Sequence, residues 1–298
     1  MKLVYSDRYD LNLGNHVFPS IKYRLVKENL LHEHIVAPGD FIEPPPASDD
    51  DIALVHHREY LRKLQTGKLS YLEVLRLEIP YSPELIRAVW LGAGGSILAG
   101  RLALEDGVAV NVGGGFHHAY PDHGEGFCVL NDFAIAIRRL QKDKAIEHAM
   151  TVDCDVHQGN GTAAIFGGDH TVFTLSIHQE NNYPYPKPPS SLDINLPDGV
   201  EDEEYLCELA QGLDRALAEF SPNLIFYVAG ADPYRDDQLG GLKLSLEGLE
   251  KRDRLVFEKA SSKHVPVAVT LAGGYARRLE DTIKIHTNTI RVAKEFAK

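Results

Sequence analysis

Short apolar runs and amphipathic stretches alternate along the chain. Five runs are mostly apolar and show no polar alternation, as strands buried on both faces do: residues 108–112, 149–152, 171–177, 224–228 and 265–271. Residues 3–5 and 52–55 read as two shorter strands. Helices are predicted over 21–31 with Ser20 as cap, over the H-H-R-E-Y-L-R-K-L of 56–64, and over 83–105, 132–142, 162–166, 203–220 and 245–262, with a last one running to the C-terminus. Ser82-Pro83-Glu84 is a strong start, with a capping hydroxyl, a proline at the first helical position and then an acid. Gly92, Gly94 and Gly95 inside that helix mean either close packing or a break. Residues 12–22, 38–51 and 181–191 are loop-like, and 71–81 fits no single pattern. Apolar strands alternating with helices imply a mostly parallel sheet covered on both faces. No linker, repeat or low-complexity boundary interrupts the pattern, so residues 1–298 are expected to form one domain.

Composition narrows the function classes. A 44% hydrophobic content supports a large core, and a net charge of −12 argues against nucleic-acid binding through a basic surface. The same charge suits a cationic substrate or partner. Cys128, Cys154 and Cys207 are too few for a disulfide framework and contain no C-x-x-C pair, which fits a reducing, cytoplasmic setting. Residues 1–10 are too charged for a signal segment, and no apolar run approaches the ~20 residues that span a bilayer. The oligomeric state is left open.

The candidate chemistry clusters where apolar runs end. Residues 151–161 read T-V-D-C-D-V-H-Q-G-N-G, with Asp153, Asp155 and His157 at alternate positions. In an extended strand these would share one face, at the carboxyl end where open parallel sheets bind ligands. Taken alone, D-x-D-x-H equally describes a solvated strand end. Three other runs, however, also finish in polar residues beside glycine: G-G-G-F-H-H at 113–118, A-G-A-D at 229–232 and A-G-G-Y at 272–275. If these ends converge, Asp155, His157 and Asp232 form a three-ligand site for a borderline divalent cation such as zinc, leaving a position open for water and substrate. One of His117 and His118 could then move the proton, and Tyr275 could donate to an oxyanion. Asp153 is too close in sequence to be a further ligand, and a bond to one of the histidines suits it better. His56-His57 opens a helical pattern among charges and reads as surface. His178 falls just past a strand end, near the expected site. Residues 92–95 lack the G-x-G-x-x-G frame of a dinucleotide site.

These motifs together resemble the zinc-dependent histone deacetylases of the arginase/deacetylase fold. The matching stretches are G-G-G-F-H-H-A (113–119), G-F-C-V-L-N-D (126–132), D-C-D-V-H-Q-G-N-G (153–161), A-G-A-D (229–232) with L-G-G-L (239–242), and L-A-G-G-Y (271–275). H-V-F-P-S-I-K-Y (16–23) and His157-Gln158-Gly159-Asn160-Gly161 look most like class IV members and their bacterial relatives. The resemblance implies an α/β domain with an eight-stranded sheet and zinc, or iron(II), on Asp155, His157 and Asp232. It implies His118 as general base and acid, His117 as its electrostatic partner oriented by Asp153, and Tyr275 as carbonyl polariser. Gly126, Phe127 and Tyr185 would wall an acyl-lysine tunnel, and Gly273 and Gly274, just before Tyr275, would also contact the substrate. It also implies structural potassium at two sites, one on Asp153, Asp155, His157, Ser176 and Ile177, the other on Phe166, Asp169, Val172 and Tyr205.

Two departures modify that expectation. Asn160 stands where most members carry an aspartate behind the second histidine, so His118 should be less basic. Pro80-Tyr81-Ser82 offers no acid where many members hold a peptide backbone, which leaves room for long acyl chains or small amines. The expected reaction is removal of acetyl or longer acyl groups from N-ε-acyl-lysine. An acetylpolyamine amidohydrolase is the nearest alternative, and a non-catalytic acyl-lysine binder a more distant one. A ureohydrolase would need bridging aspartates that 157–161 does not offer.

Overall fold

In the computed structural model, which describes every residue except Asn12 at the head of the predicted 12–22 loop, the apolar runs lie side by side in one sheet. Eight strands are described: β1 (Leu3–Val4), β2 (Phe41–Ile42), β3 (Val108–Asn111), β4 (Ala149–Asp153), β5 (Val172–Gln179), β6 (Leu192–Leu196), β7 (Leu224–Val228) and β8 (Val267–Thr270). Every pairing is parallel, in the order β2-β1-β3-β8-β7-β4-β5-β6. Helices α1 (Lys22–His32), α2 (Asp49–Ile52), α3 (Arg58–Thr66), α4 (Tyr71–Leu77), α5 (Pro83–Asp106), α6 (Asp132–Lys142), α7 (Asn160–Phe166), α8 (Asp202–Glu219), α9 (Leu246–Ser262) and α10 (Leu279–Glu295) surround the sheet. β3, β4, β7 and β8 are buried at every position, which explains their lack of polar alternation. No described helix is long and apolar enough to cross a membrane.

Several elements differ from the sequence pattern. Residues 52–55 are not a strand. Ser48 Oγ accepts the Asp51 amide while Asp51 returns a bond to the Ser48 amide, and this box starts α2, ending in a turn. Ser20 does not cap α1, because its hydroxyl donates to Asp10 and accepts from the Leu11 amide. β6 was hidden by its Leu-Asp-Ile-Asn-Leu alternation, the mark of a half-exposed edge strand. The 71–81 stretch contains α4, capped by Ser70. Helix α5 runs unbroken through its glycines, which serve packing: a Cβ on Gly94 would stand 1.9 Å from the Pro45 carbonyl oxygen.

A candidate active site at the carboxyl edge of the sheet

The four strands whose ends carry the candidate chemistry, β3, β8, β7 and β4, are consecutive neighbours at the centre of the sheet. Their carboxyl ends therefore meet. β4 stops at Asp153, so Asp155 and His157 reach the site from the turn beyond it, not from a shared strand face. Asp155, His157 and Asp232 each present a ligand atom, all within 4.8 Å of one another, and all three residues are buried. Asp155 Oδ1 lies 3.0 Å from His157 Nδ1, and Asp155 Oδ2 accepts the Gly273 amide at 3.0 Å. Asp232 Oδ1 accepts the Val156 amide at 2.9 Å, whereas its buried Oδ2 makes no hydrogen bond and has the His157 Nδ1 3.6 Å away. A carboxylate oxygen so weakly met, beside a second buried carboxylate, is costly unless a cation joins them. Two carboxylates and one imidazole are a fitting donor set for a divalent ion such as zinc. Burial and the Asp155 charge push the Asp232 carboxyl up to about 7. Burial opposes the charge on His157, but Asp155 and Asp232 outweigh it and lift the ring to about 10. Gly273 is required by proximity, since a Cβ there would lie 2.0 Å from Asp232 Oδ2.

The two adjacent histidines have opposite environments although their ring centroids are 4.0 Å apart. His117 Nδ1 pairs with Asp153 Oδ2 at 2.7 Å. Burial works against its charge, but Asp153 and Asp155 prevail and hold it up at about 9. His118 Nδ1 faces Asn160 Oδ1 at 2.6 Å. Burial and the neighbouring His117 and His157 drive it well below the ordinary imidazole range, so it is the neutral one of the pair. Asp132 holds the glycine loop in front of them, its Oδ1 accepting the Gly115 and Phe116 amides at 3.0 and 2.8 Å. Asp237 holds the opposite wall, its Oδ2 accepting the Tyr275 amide at 2.7 Å. Burial, Asp155 and Asp232 raise the Tyr275 hydroxyl well above the usual phenol range, so it stays protonated and can donate.

Phe127 packs against Tyr275 and Phe18, with centroids 5.8 and 5.9 Å away. Gly126 and Phe127 both adopt positive φ, at +53° and +67°, and their amides donate to the Arg76 and Leu77 carbonyls at the end of α4. Left-handed backbone at a non-glycine residue is unfavourable and needs such anchoring. Tyr185 does not join this wall. It is 70% exposed, with Lys187 Nζ over its ring, and Tyr183 takes the inner position instead. The Tyr183 ring stands edge-on to His118 at 4.9 Å, and its hydroxyl donates to Glu125 Oε1 at 2.8 Å.

The first set of residues expected around a monovalent cation is contiguous in space: Asp153 pairs with Ser176 in the β4–β5 register, Ile177 follows, and the 155–157 turn is tied to β5 by the Gln179 amide on the Val156 carbonyl. The second set is not assembled. Phe166, Asp169 and Val172 lie together at the amino edge of the sheet, where Arg138 pairs with Asp169 at 2.5 Å. Tyr205 is in the first turn of α8, beside Cys154 at the carboxyl edge. Helix α7 carries the chain across the sheet between those two levels.

The histone deacetylase domain family matches residues 16–290. The chain is 32% identical to Histone deacetylase 2 of Arabidopsis thaliana, over 95% of this chain and 78% of that one. It therefore belongs to the histone deacetylase family. An uncharacterised protein of Picosynechococcus is 40% identical over 94% of this chain and 93% of its own. Among solved structures, an HDAC homolog complexed with SAHA superposes with a TM-score of 0.84 over 99% of this chain and 84% of that chain, at 24% identity, and shares the fold.

Asp132, Asp237, Tyr183 and Glu125 shape this site although the sequence pattern assigns none of them a role. Asp132 is the last residue of the G-F-C-V-L-N-D stretch and starts α6, and Asp237 lies between β7 and α9. Tyr183 and Tyr185 are equivalent in Y-P-Y-P until Glu125, 58 residues away, selects one. His56 is buried and not at the surface: its Nδ1 meets the Tyr120 carbonyl at 2.9 Å and its Nε2 accepts the Asn131 amide at 3.0 Å. His178 is also buried, within β5, with Nδ1 on Ser176 Oγ at 2.9 Å.

Proposed function

We propose that this deacetylase is a zinc-dependent amide hydrolase that removes acyl groups from N-ε-acyl-lysine. The observation that supports the reading most is the Asp155, His157 and Asp232 cluster, with its weakly met Oδ2, set among a charged His117, a neutral His118 and a protonated Tyr275. A zinc ion held there would supply Lewis-acid polarisation of the acyl carbonyl and a more acidic water. Iron(II) suits the same ligands. His118, neutral and with Nδ1 engaged by Asn160, has Nε2 available to take a proton from the attacking water and return it to the leaving lysine amine. His117, held charged by Asp153, stabilises negative charge developing nearby. The Tyr275 hydroxyl donates to the oxyanion of the tetrahedral intermediate. Phe127 and Tyr183 flank the apolar lysine stem, while Gly126 leaves room between them: a Cβ there would press on His118 and the Tyr183 hydroxyl.

A small apolar cavity of about 30 Å³, lined by Phe18, Leu85, Val89, Phe116 and Phe127, lies against the Phe127 side of the wall and is too small as it stands for an acyl chain much longer than acetyl. The test is a panel of lysine peptides acylated from acetyl to myristoyl, with acetylated polyamines alongside, on enzyme of known metal content. Turnover of acyl-lysine that scales with bound zinc is expected. Preference for the polyamines would assign the alternative substrate class, for which the net charge of −12 speaks. No turnover of any amide by the zinc-loaded protein would overturn the reading.

A further inference from the structure

Asn160 poses a problem for its histidine. A carboxylate at this position can only accept, so it compels the facing imidazole nitrogen to carry a proton. A carboxamide can present either its oxygen or its NH2, and the two orientations select opposite tautomers of the ring. With Oδ1 inward, His118 Nδ1 is the donor and Nε2 keeps the lone pair that takes protons. With Nδ2 inward, Nδ1 becomes the acceptor and Nε2 carries the hydrogen, which disables it as a base.

The Tyr120 hydroxyl and Glu125 both meet the amide; the hydroxyl can donate or accept, so only Glu125 decides between the two orientations. Asn160 Nδ2 donates to Glu125 Oε1 at 2.5 Å, and the same oxygen accepts the Tyr183 hydroxyl at 2.8 Å. Burial would raise the Glu125 carboxyl, but bonds from His123, Tyr183 and Asn160 outweigh it and hold it below the usual range. An ionised carboxylate has no hydrogen to give, so the amide must turn NH2 outward and oxygen inward. Glu125 is itself braced: His123 Nε2 lies 3.6 Å from Oε2, the His123 Nδ1 is 2.7 Å from Asp122 Oδ1, and its ring stacks on Tyr120 at 4.7 Å. Its side chain is 21% exposed, so solvent does not readily replace these partners.

We infer that Glu125 is a positioning residue of this active site: through the Asn160 amide it fixes His118 in the Nδ1–H tautomer, and through the Tyr183 hydroxyl it seats the inner aromatic wall. The carboxylate that Asn160 lacks is thus supplied one hydrogen bond further out. This inference rests on the proposed role of His118 but makes a statement about the resting protein that needs no turnover.

The experiment exchanges the amide and the acid. Glu125→Gln frees Asn160 to turn, and kcat is expected to fall by about 10–100-fold, the usual effect of losing an outer hydrogen-bond partner, with KM changed by less than about threefold. Asn160→Asp sets two carboxylates against each other and should lose activity as well. The double variant Glu125→Gln/Asn160→Asp restores one acid and one amide. The amide introduced by Glu125→Gln then donates to the carboxylate introduced by Asn160→Asp, and activity should recover to within about threefold of the parent. Nitrogen-15 spectra of histidine-labelled, zinc-loaded protein at pH 8 should show the Nδ1–H form of His118 in the parent and the exchanged pair, and a tautomer mixture in Glu125→Gln. If Glu125→Gln does not fold, Asn160→Asp and the exchanged pair still measure the same coupling. Parental kcat and an unchanged tautomer in Glu125→Gln would overturn the inference, as would losses that simply multiply in the double variant. A parent inactive on every amide but showing these tautomer shifts would count against the proposed reaction and leave the role of Glu125 standing.

Discussion

At the scale of single residues, the site depends on protonation states set by burial and by the carboxylates beside each group. Tyr275 is useful as a donor only while protonated, and burial beside Asp155 and Asp232 keeps it so. Removing the hydroxyl should leave packing with Phe18 and Phe127 intact. Tyr275→Phe is therefore expected to melt with the parent and bind zinc equally, while deacylation falls by about 10²–10³-fold, the cost of one oxyanion donor. Steady-state kinetics beside a melting curve checks this, and full activity would remove Tyr275 from the mechanism. Residue types and spacing were enough to single out Asp155, His157, Asp232, His117, His118 and Tyr275. They were not enough to choose Tyr183 over Tyr185 or to see Asp132, Asp237 and Glu125, because those choices are made by partners far away in sequence.

At the scale of elements, the loops carrying the site are tied to helices through buried polar contacts. His56, just before α3, joins the Tyr120 carbonyl to the Asn131 amide at the cap of α6. Because the Asn131 N–H points at Nε2, the ring must be neutral there, and burial depresses its pKa from 6.5 to about 4. Between those values the unfolded chain binds the extra proton and the folded chain does not, so stability falls as pH is lowered from 6.5 to 4 and is unaffected by this group above that window. The full effect is roughly 3 kcal/mol. His56→Gln can keep both bonds without titrating. Its melting temperature should decline less steeply than the parent's between pH 6.5 and pH 4, and equal slopes would show that His56 does not carry the effect. The elements the pattern misjudged share a cause. β6 lacks a continuous apolar run because it is a half-exposed sheet edge, whereas Ile52-Ala53-Leu54-Val55 is such a run but is turned into the end of α2 by the Ser48 cap; an apolar run by itself reports neither exposure nor capping.

At the scale of the whole molecule, the strand order β3-β8-β7-β4 brings four segments spanning residues 113 to 275 to one edge. The cluster at their meeting point concentrates buried acid within a chain already at −12. A cation bound only by the folded state should stabilise it in proportion to its occupancy. Stripping the protein with a chelator is expected to lower its melting temperature, and zinc returned at ~100 times its dissociation constant should restore about 2.7 kcal/mol. Magnesium, which prefers six oxygen ligands, should restore much less. A melting temperature indifferent to chelation and to zinc would argue against a resident ion at Asp155, His157 and Asp232.

The amino-acid sequence by itself determined the alternation of buried strands and helices, the parallel sheet, and the placing of acids, histidines and a tyrosine at strand ends, since these follow from local periodicity and from the chemistry of residue types. Only the tertiary structure decided which strands are neighbours, which tyrosine faces His118, that the second set expected to bind potassium does not assemble, and that an acid on a loop governs the Asn160 amide. Those outcomes depend on distances between segments remote in sequence, and local patterns of polarity do not encode such distances.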